Sequence, residues 1–397
     1  IYLRRYFDSA KQDSIVLVDE AHNLIDRGRD MFSAEINKSE FSELASQLDG
    51  RLPALHCSLR SVVQVFLAVS KTDEEFESKS YLVYQQIPED MLKALRNLRS
   101  EIEVVLTQQG DYVWPEDMLD VYYRVERFIR TAAEYNDDYV TFLNRSEEGF
   151  FKLKLFCVDP AKRLASGFAR IAGVACFSAT LQPRSYFRDM LGITDEEHWY
   201  QLKSPFPKEN LHVSIASFID TSFRSRESSI DPIVRVIETI TASKAGSYIV
   251  FFPSYKYLEL VYETFIKTHP NKKVVRERQS MGDEERQIFL KNFNGERVCG
   301  FAVMSGAFSE GIDLKGKRLI GAIVIGVGLP GVGIERDLIR HRYADKGFEI
   351  AYQYPGMIRV LQTAGRVIRS DRDEGVICLV DSRYRQARYK QLLPEHW

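Results

Sequence analysis

Two kinds of hydrophobic pattern alternate along the chain. Continuous apolar runs of strand length occur near the start and throughout the second half, as is typical of parallel strands buried on both faces. These runs are 14–18, 173–177, 212–216, 248–252, 300–304, 319–326 and 376–380. Helical patterns, such as 231–242 and 255–267, lie between most of the later runs. The alternation predicts an α/β fold built on mostly parallel sheets.

The segment between the first and second strand runs has a different period. Its apolar residues recur at helical spacing in three stripes: Leu59, Val62, Phe66 and Val69; Met91, Leu95, Leu98, Ile102 and Val105; Met118, Tyr122, Val125, Ile129 and Ala132. Such stripes are typical of amphipathic helices that pack on one another. We therefore expect an all-helical insertion at 36–150.

Charge divides the chain at the same boundaries. The net charge is −2, but residues 36–150 carry 12 basic and 21 acidic side chains, whereas residues 151–397 carry 37 and 28. An acidic segment of −9 beside a basic segment of +9 indicates separate modules, and the basic one suits a polyanion such as nucleic acid or nucleotide. Ordinary solvated surface is the alternative.

Cysteine usage and hydropathy narrow the class of protein. The five cysteines are odd in number, far apart and without a Cys-x-x-Cys pair, which argues against a disulfide framework and against a zinc or iron–sulfur site within this segment. No apolar stretch approaches 18 residues, so we expect no membrane partner. These patterns favour a reducing, cytoplasmic compartment.

An acidic pair follows the first strand run. Asp19 and Glu20 open the tetrapeptide Asp-Glu-Ala-His, which ends at His22. At the end of a parallel strand, one carboxylate can hold Mg²⁺ through water while the next accepts a proton from an attacking water. Solvated acids at the end of a strand are the alternative interpretation.

Two guanidinium groups and an amide form a second candidate near the C-terminus. At roughly 100° per residue, Gln362, Arg366 and Arg369 fall on one face of a predicted helix. Arginine suits the oxygens of a transferring phosphoryl group, because its planar fork is always charged. A solvated basic helix face is the alternative.

Two further polar motifs follow strand runs. Ser178 and Thr180 lie in Ser-Ala-Thr after the second run, where small hydroxyl residues can hydrogen-bond in a crowded site. Gly311 and Asp313 lie in Ser-Glu-Gly-Ile-Asp, where glycine permits close approach of a ligand and the carboxylate can accept a hydrogen bond. A plain turn explains either motif equally well when it is taken alone.

Together, in this order, these motifs resemble motifs II, III, V and VI of superfamily 2 helicases. Residues 250–254, Val-Phe-Phe-Pro-Ser, are similar to motif IV. A helical insertion between motifs II and III resembles the Arch domain of the XPD/DinG family of DNA helicases, and the resemblance covers essentially the whole chain. It implies RecA-like motor domains, assigned as follows: 1–35 and 151–205 to an incomplete first motor domain, 36–150 to the Arch-like insertion and 206–397 to the second motor domain.

The resemblance also implies roles for particular residues. Asp19 would hold Mg²⁺ through water, Glu20 would be the catalytic base and Gln362 would sense the γ-phosphate. Arg366 and Arg369 would be the arginine fingers, and Gly311 and Asp313 would bind the nucleotide and link it to DNA. The residues expected to couple the two sites are His22, Ser178 and Thr180, and those expected to bind DNA are Ser254 and Ser309. The expected cofactors are ATP and Mg²⁺. The expected substrates are single-stranded DNA and forked or structured DNA, with 5′ to 3′ translocation by a monomer.

One element of the family pattern is absent from the sequence. No Gly-x-x-x-x-Gly-Lys-Ser/Thr occurs, and the nearest match, 311–318, ends in Arg318 and precedes a strand run rather than a helix. In the family, this loop and any iron–sulfur module lie upstream of the DEAH box. We therefore expect a fragment that begins late in the first motor domain and is inactive alone.

Two rival functions have some support in the sequence. The run 326–331, Gly-Val-Gly-Leu-Pro-Gly, spells a dinucleotide-binding fingerprint, but it lies late in its domain and contains Pro330. A Gly-Leu-Pro loop after this strand is also a feature of the XPD/DinG family. The second rival is a non-catalytic module, derived from a helicase, that binds single-stranded nucleic acid or a partner.

Overall fold

The computed structural model describes most of the chain as two compact units. The described residues are 14–48, 52–71, 81–107, 117–145, 150–193, 199–309, 314 and 316–397. The first unit comprises Ile1–Phe177, Arg188–Thr194 and Gly333–Arg342, and the second comprises Ser178–Phe187, Asp195–Val332 and Tyr343–Trp397.

Strands and helices are numbered in chain order. The strands are β1 (Ile15–Val18), β2 (Ala34–Asn37), β3 (Tyr81–Tyr84), β4 (Tyr139–Arg145), β5 (Phe151–Cys157), β6 (Gly173–Cys176), β7 (Leu211–Ile215), β8 (Tyr248–Phe252), β9 (Val274–Arg276), β10 (Cys299–Val303), β11 (Gly321–Ile325) and β12 (Gly375–Val380). The α-helices are α1 (Leu24–Phe32), α2 (Lys38–Leu48), α3 (Pro53–Lys71), α4 (Glu89–Thr107), α5 (Asp117–Ala133), α6 (Ala161–Phe168), α7 (Arg184–Leu191), α8 (Arg226–Ser243), α9 (Tyr255–Thr268), α10 (Asp283–Lys291), α11 (Ile334–Arg342), α12 (Tyr354–Ala364) and α13 (Ala387–Lys390).

The second unit is built on a six-stranded parallel sheet. The strand order is β7-β12-β11-β8-β10-β9, and every neighbouring pair is parallel. Alternate residues of each strand enter two hydrophobic clusters: Ile249 and Phe251 of β8 join one, and Val250 and Phe252 join the other. Because side chains alternate across a strand, the two clusters cover opposite faces of the sheet. The predicted parallel α/β fold is confirmed.

The first unit contains a parallel pair of strands. β1 pairs with β6 in register from Ile15 and Gly173 to Val18 and Cys176. The prediction that the first run is buried on both faces is wrong, because Ile15 is 73% exposed and Leu17 is 69% exposed. In the described part of the chain this sheet has two strands, and Ile15 and Leu17 lie on the same exposed face of β1.

The insertion contains both helices and strands. The three predicted stripes lie on α3, α4 and α5, and most of their side chains are buried in one cluster that extends from Ala34 to Leu155. The prediction that this region is all-helical is wrong, because a four-stranded antiparallel sheet of order β2-β5-β4-β3 completes it. Strand β3 has four residues and β2 has four, too few for their alternation to be distinguished from a loop.

Helix α3 is long and apolar enough, by length and composition alone, to cross a membrane over Pro53–Ser70. One side of the helix packs on the cluster of the insertion, where Leu55, Leu59, Val62 and Phe66 are buried. The spacing of these four residues is that of a helix with one buried face, so we interpret α3 as part of the core of the insertion.

Helix α11 belongs to the first unit although the residues on both sides of it belong to the second. Arg336 donates to Asp26 at 2.9 Å, Lys154 donates to Glu335 at 2.5 Å, and Arg342 donates to the buried Asp138 at 3.2 Å. Burial alone would raise the pKa of Asp26, but the positive charges of Arg29 and Arg336 outweigh it, and the pKa is lowered.

Replacing Leu98 by alanine tests the core of the insertion. Leu98 is fully buried on α4, so the substitution leaves a cavity and should lower the free energy of unfolding by about 2–5 kcal/mol. Urea denaturation followed by far-UV circular dichroism measures this loss. Leu119→Ala on the exposed side of α5 is the matched control and should change the free energy by less than about 0.5 kcal/mol. Equal losses of unfolding free energy in the two variants would contradict the assignment of Leu98 to the core of the insertion.

Candidate functional site

The acidic pair lies where the chain leaves β1. Asp19 and Glu20 are both exposed, and the backbone N–H of Glu20 donates to Oδ1 of Asp19 at 2.8 Å. The N–H of Ala21 donates to the carbonyl of Phe177, next to the end of β6, at 3.1 Å. Both carboxylates are therefore presented at the carboxyl edge of a parallel strand pair, as the sequence predicted.

Glu20 adopts a backbone conformation that few residues with a side chain adopt. Its φ is 49° and its ψ is 44°, in the left-handed region, and a short 3₁₀ helix, Ala21–Asn23, follows it. Strained residues of this kind cost about 1–3 kcal/mol and are found mostly at functional sites. The turn redirects the chain directly after the acidic pair.

His22 lies against the same carboxylate. Its Nδ1 is 3.2 Å from Oε2 of Glu20, and its side chain is 6% exposed whereas that of Glu20 is 52% exposed. The imidazole is thus largely buried beneath a solvent-accessible carboxylate. This geometry is compatible with the coupling role predicted for His22, which remains a prediction.

Predicted site residues that are far apart in the sequence meet in the second unit. The side-chain amide of Gln362 donates to Oγ1 of Thr180 at 2.7 Å, across 182 positions of the chain. Thr180 is buried, and its backbone N–H donates to Oγ of Ser178 at 3.2 Å. The family resemblance implied a nucleotide-sensing role for Gln362 and a coupling role for Ser178 and Thr180. In the structure the three residues form one hydrogen-bonded group.

The two arginines do not share a helix face with Gln362. Helix α12 ends at Ala364, with Gly365 as its C-cap, so Arg366 lies in a turn and Arg369 lies beyond it. The helical geometry predicted for them is therefore wrong. The Asp373 carboxylate accepts from the backbone N–H groups of Arg369 and Ser370, both at 2.8 Å, and these hydrogen bonds stabilise a turn in place of further helix.

Arg366 contacts the loop after β10. Its Nε donates to the carbonyl of Ser309 at 3.1 Å, which joins two predicted motifs. The hydroxyl of Ser309 donates to the carbonyl of Gly306 at 2.8 Å, and Ser309 is buried. Gly311 and Asp313 lie outside the described residues.

Ser254 begins helix α9. Its side chain accepts from the N–H of Tyr257 at 3.4 Å, as an N-cap does. This local role accounts for a serine at the position without reference to a ligand. The predicted contact of Ser254 with DNA remains a prediction.

Comparisons with known proteins give one consistent family. A family model described as a helicase C-terminal domain matches residues 237–397, and one described as DEAD_2 matches residues 2–41. The ATP-dependent DNA helicase CHL1 of Scheffersomyces stipitis is 24% identical over 448 residues, which cover 96% of this chain and 53% of that protein. CHL1 of Candida albicans is 22% identical over 97% of this chain and 54% of that protein.

Solved structures share the fold. The structure titled "Structure of S. tokodaii Xpd4" has a TM-score of 0.61 at 17% identity and covers 97% of this chain and 75% of that one. The structure titled "XPD_Helicase" has a TM-score of 0.59 at 17% identity, over 98% of this chain and 69% of that one.

By these comparisons the chain is similar to DNA helicases over nearly its whole length, and it shares the fold of the XPD structures. It spans about half the length of the curated relatives that it matches.

Across the described ranges, no group of three or more histidine, cysteine or acidic side chains is arranged to hold a metal ion. Magnesium differs from zinc in this respect, because it commonly binds one or two carboxylates and completes its shell with water and substrate phosphates. The exposed pair Asp19 and Glu20 fits that mode of binding.

Glu277 is a component of the site that the sequence analysis missed. It follows β9, its side chain is 1% exposed, and it accepts three hydrogen bonds. Oε2 accepts from the N–H of Val303 at 2.8 Å, and Oε1 accepts from the N–H of Ala307 at 2.8 Å and from the hydroxyl of Tyr255 at 3.1 Å. Burial and this neighbouring carboxylate raise the pKa of Tyr255 to about 12.

The carboxylate of Glu277 fixes the loop that binds Arg366. A Cβ at Gly306 would lie 2.2 Å from Oε1 of Glu277, so only glycine allows this close approach. Glu277 thereby connects the start of α9 with the loop whose Ser309 carbonyl accepts from Arg366. Its only signal in the sequence is a polar residue after a short apolar run, which is too common to single it out.

Replacing Glu277 by alanine tests this connection. The change leaves the N–H of Val303 buried without its acceptor, and each such loss costs about 1–3 kcal/mol. We expect an unfolding free energy lower by about 3 kcal/mol and faster hydrogen exchange at residues 303–309, measured by mass spectrometry. Tyr255→Phe removes one bond and should cost about 1 kcal/mol. Glu284→Ala, on the exposed side of α10, is the control; equal exchange in the Glu277 and Glu284 variants would contradict the role.

Proposed function

We propose that this chain is part of an ATP-driven DNA helicase that moves along single-stranded DNA and unwinds duplex. In this proposal, 1–35 and 151–205 contribute to the first motor domain, 36–150 form the Arch-like insertion, and 206–397 form the second motor domain. The curated relatives named above support the activity class, since both are named ATP-dependent DNA helicases.

The hydrogen bond between Gln362 and Thr180 is the observation that carries the proposal. It joins the residue proposed to sense the γ-phosphate to a residue proposed to couple nucleotide and DNA binding. A rotation of the Gln362 amide towards a phosphate would break its bond to a buried hydroxyl. Thr180 would then exchange one partner for another, and this exchange is a direct means of transmitting the nucleotide state.

The proposed nucleotide chemistry uses residues of both ends of the chain. ATP would supply the free energy through hydrolysis of its terminal phosphoryl bond, with Mg²⁺ offsetting the phosphate charge. Asp19 would hold the Mg²⁺ through water, and Glu20 would accept a proton from the attacking water. Arg366 and Arg369 would offset the charge that develops on the phosphoryl oxygens, and Gly311 and Asp313 would complete the nucleotide contacts.

The proposed substrates are single-stranded DNA and forked or structured DNA, contacted in part by Ser254 and Ser309. We propose 5′ to 3′ movement by a monomer. The five cysteines all lie in the described part and are free thiols, which supports a reducing compartment such as the cytoplasm.

We further propose that the 397 residues alone do not hydrolyse ATP, because they contain no phosphate-binding loop. The second candidate function, a non-catalytic module that binds single-stranded nucleic acid, rests on the same absence. The two candidates differ in one measurable property of the full-length natural protein: hydrolysis of ATP that is stimulated by single-stranded DNA.

Replacing Glu20 by glutamine tests the helicase proposal. Glutamine keeps the shape but cannot accept the proton, so kcat for ATP hydrolysis by the full-length protein should fall at least about a hundredfold. The KM for ATP should stay within a few-fold, because Glu20 acts on water rather than on the nucleotide. Steady-state phosphate release in the presence of single-stranded DNA measures both quantities.

Glu284→Gln is the control for this experiment, since Glu284 is an exposed acid on α10. A full-length protein that binds single-stranded DNA without hydrolysing ATP would support the binding module instead. An unchanged kcat in the Glu20 variant would contradict the role of Glu20 as catalytic base, but it would not affect the similarity of the chain to helicases.

A further inference from the structure

The loop after β7, residues 216–225, is held at the carboxyl edge of the sheet in the second unit. The N–H of Ala216 donates to the carbonyl of Leu379 at 2.8 Å, which extends the pairing of β7 with β12. The hydroxyl of Thr221 donates to the carboxylate of Asp381, a fully buried residue. These bonds anchor the loop beside the ends of two strands, an edge at which open α/β sheets bind ligands.

Two phenylalanines of this anchored loop face solvent. Phe218 is 69% exposed and Phe223 is 78% exposed, whereas Ile219 and Thr221 between them are buried. The two exposed rings leave apolar surface in contact with water, which contact with a ligand would remove. A loop with ordered backbone bonds and outward rings is suited to stacking against a flat ligand.

Arginine side chains lie near the two rings. Arg224 and Arg385 are exposed, and Nε of Arg385 donates to Oγ of Ser217, next to Phe218, at 3.2 Å. The guanidinium of Arg226 lies 5.0 Å from the centre of the Phe223 ring. We call Phe218, Phe223, Arg224 and Arg385 the phenylalanine–arginine surface.

The acids near this surface are paired with other groups. Asp381 is bound by two guanidinium nitrogens of Arg383, both at 2.8 Å. The Asp220 carboxylate accepts from the N–H and hydroxyl of Ser222 and from the hydroxyl of Ser225, and these bonds lower its pKa. Asp220 and Asp381 therefore have local partners, whereas the guanidinium groups of Arg224 and Arg385 are exposed and suit an anion.

A contact through the buried Tyr257 links the phenylalanine–arginine surface to the helix that Ser254 caps. The Arg226 guanidinium that lies over Phe223 is also 5.2 Å from the ring centre of Tyr257. Tyr257 is in the first turn of α9, where its N–H is capped by Ser254. One stacked arginine thus connects Phe223 to the helix that begins at Ser254.

We propose that the phenylalanine–arginine surface binds single-stranded nucleic acid by stacking bases on Phe218 and Phe223. Aromatic rings beside guanidinium groups are the combination by which proteins bind single strands without reading their sequence. Arg224 and Arg385 contact phosphates, and the rings contact base faces. This inference rests on the proposed function for its ligand class and adds a subsite to it.

Binding of a fluorescent oligothymidine to the 397-residue chain, followed by anisotropy, tests the proposal. Phe218→Ala and Phe223→Ala should each raise Kd about 5- to 150-fold, the range that corresponds to one lost base stack. Phe→Trp at either position should restore binding and Phe→Leu should not, because leucine is apolar without a stacking face. Tyr123→Ala is the matched control: it removes an exposed ring of the insertion and should leave Kd unchanged.

Salt dependence separates stacking from charge. The slope of log Kd against log salt should be unchanged in the phenylalanine variants, and its magnitude should fall by about 0.7 in Arg224→Gln and in Arg385→Gln. An abasic strand of the same length should bind wild type and phenylalanine variants equally, because it has no bases to stack.

Each outcome bears on a different claim. If the unmodified chain and both alanine variants bind the oligonucleotide equally well, the stacking site is overturned while the proposed function stands. The two exposed rings would then be interpreted as a contact for another protein. If the unmodified chain does not bind single strands at all, both this inference and the DNA-binding part of the proposed function fail.

Discussion

Parallel pairing between strands that are distant in the sequence is the constraint on which this protein depends. β1 pairs with β6 across more than 150 residues, and β7 pairs with β12 across a similar distance. Parallel strands end at one edge, so residues that follow different strands are gathered there. The exposed acids after β1 and the phenylalanine loop after β7 both occupy such edges, and the pairing of distant strands brings them there.

A second constraint is the burial of polar groups that have complete sets of partners. Glu277 accepts from two backbone N–H groups and a hydroxyl, and Thr180 contacts both Ser178 and Gln362. A buried group of this kind is costly to leave without partners, so its neighbours can move only by exchanging one hydrogen bond for another. The hydrogen bonds therefore restrict the site to discrete arrangements.

Local periodicity accounts for most of what the sequence predicted correctly. β8 and α9 begin where the apolar runs predicted, and the stripe of Met91 and Leu98 is buried on α4. The errors arise where distant contacts decide. Leu17 is exposed because burial of a strand face requires residues from another layer to pack on it, and the strand's own sequence does not specify that layer. Helix α12 ends before Arg366 because the Asp373 carboxylate binds the backbone that follows. Glu277 carries no local signal, since its partners lie at least twenty residues away.

The membership of α11 in the first unit has a topological consequence. The chain passes between the units several times, so neither unit is encoded by one continuous stretch. A single proteolytic cut within any one connection leaves the fragments tied through the others, and a truncation that ends at Val332 removes a helix whose ion pairs are with Asp26 and Asp138. Duplication or shuffling of one unit alone would therefore require several junctions in the gene.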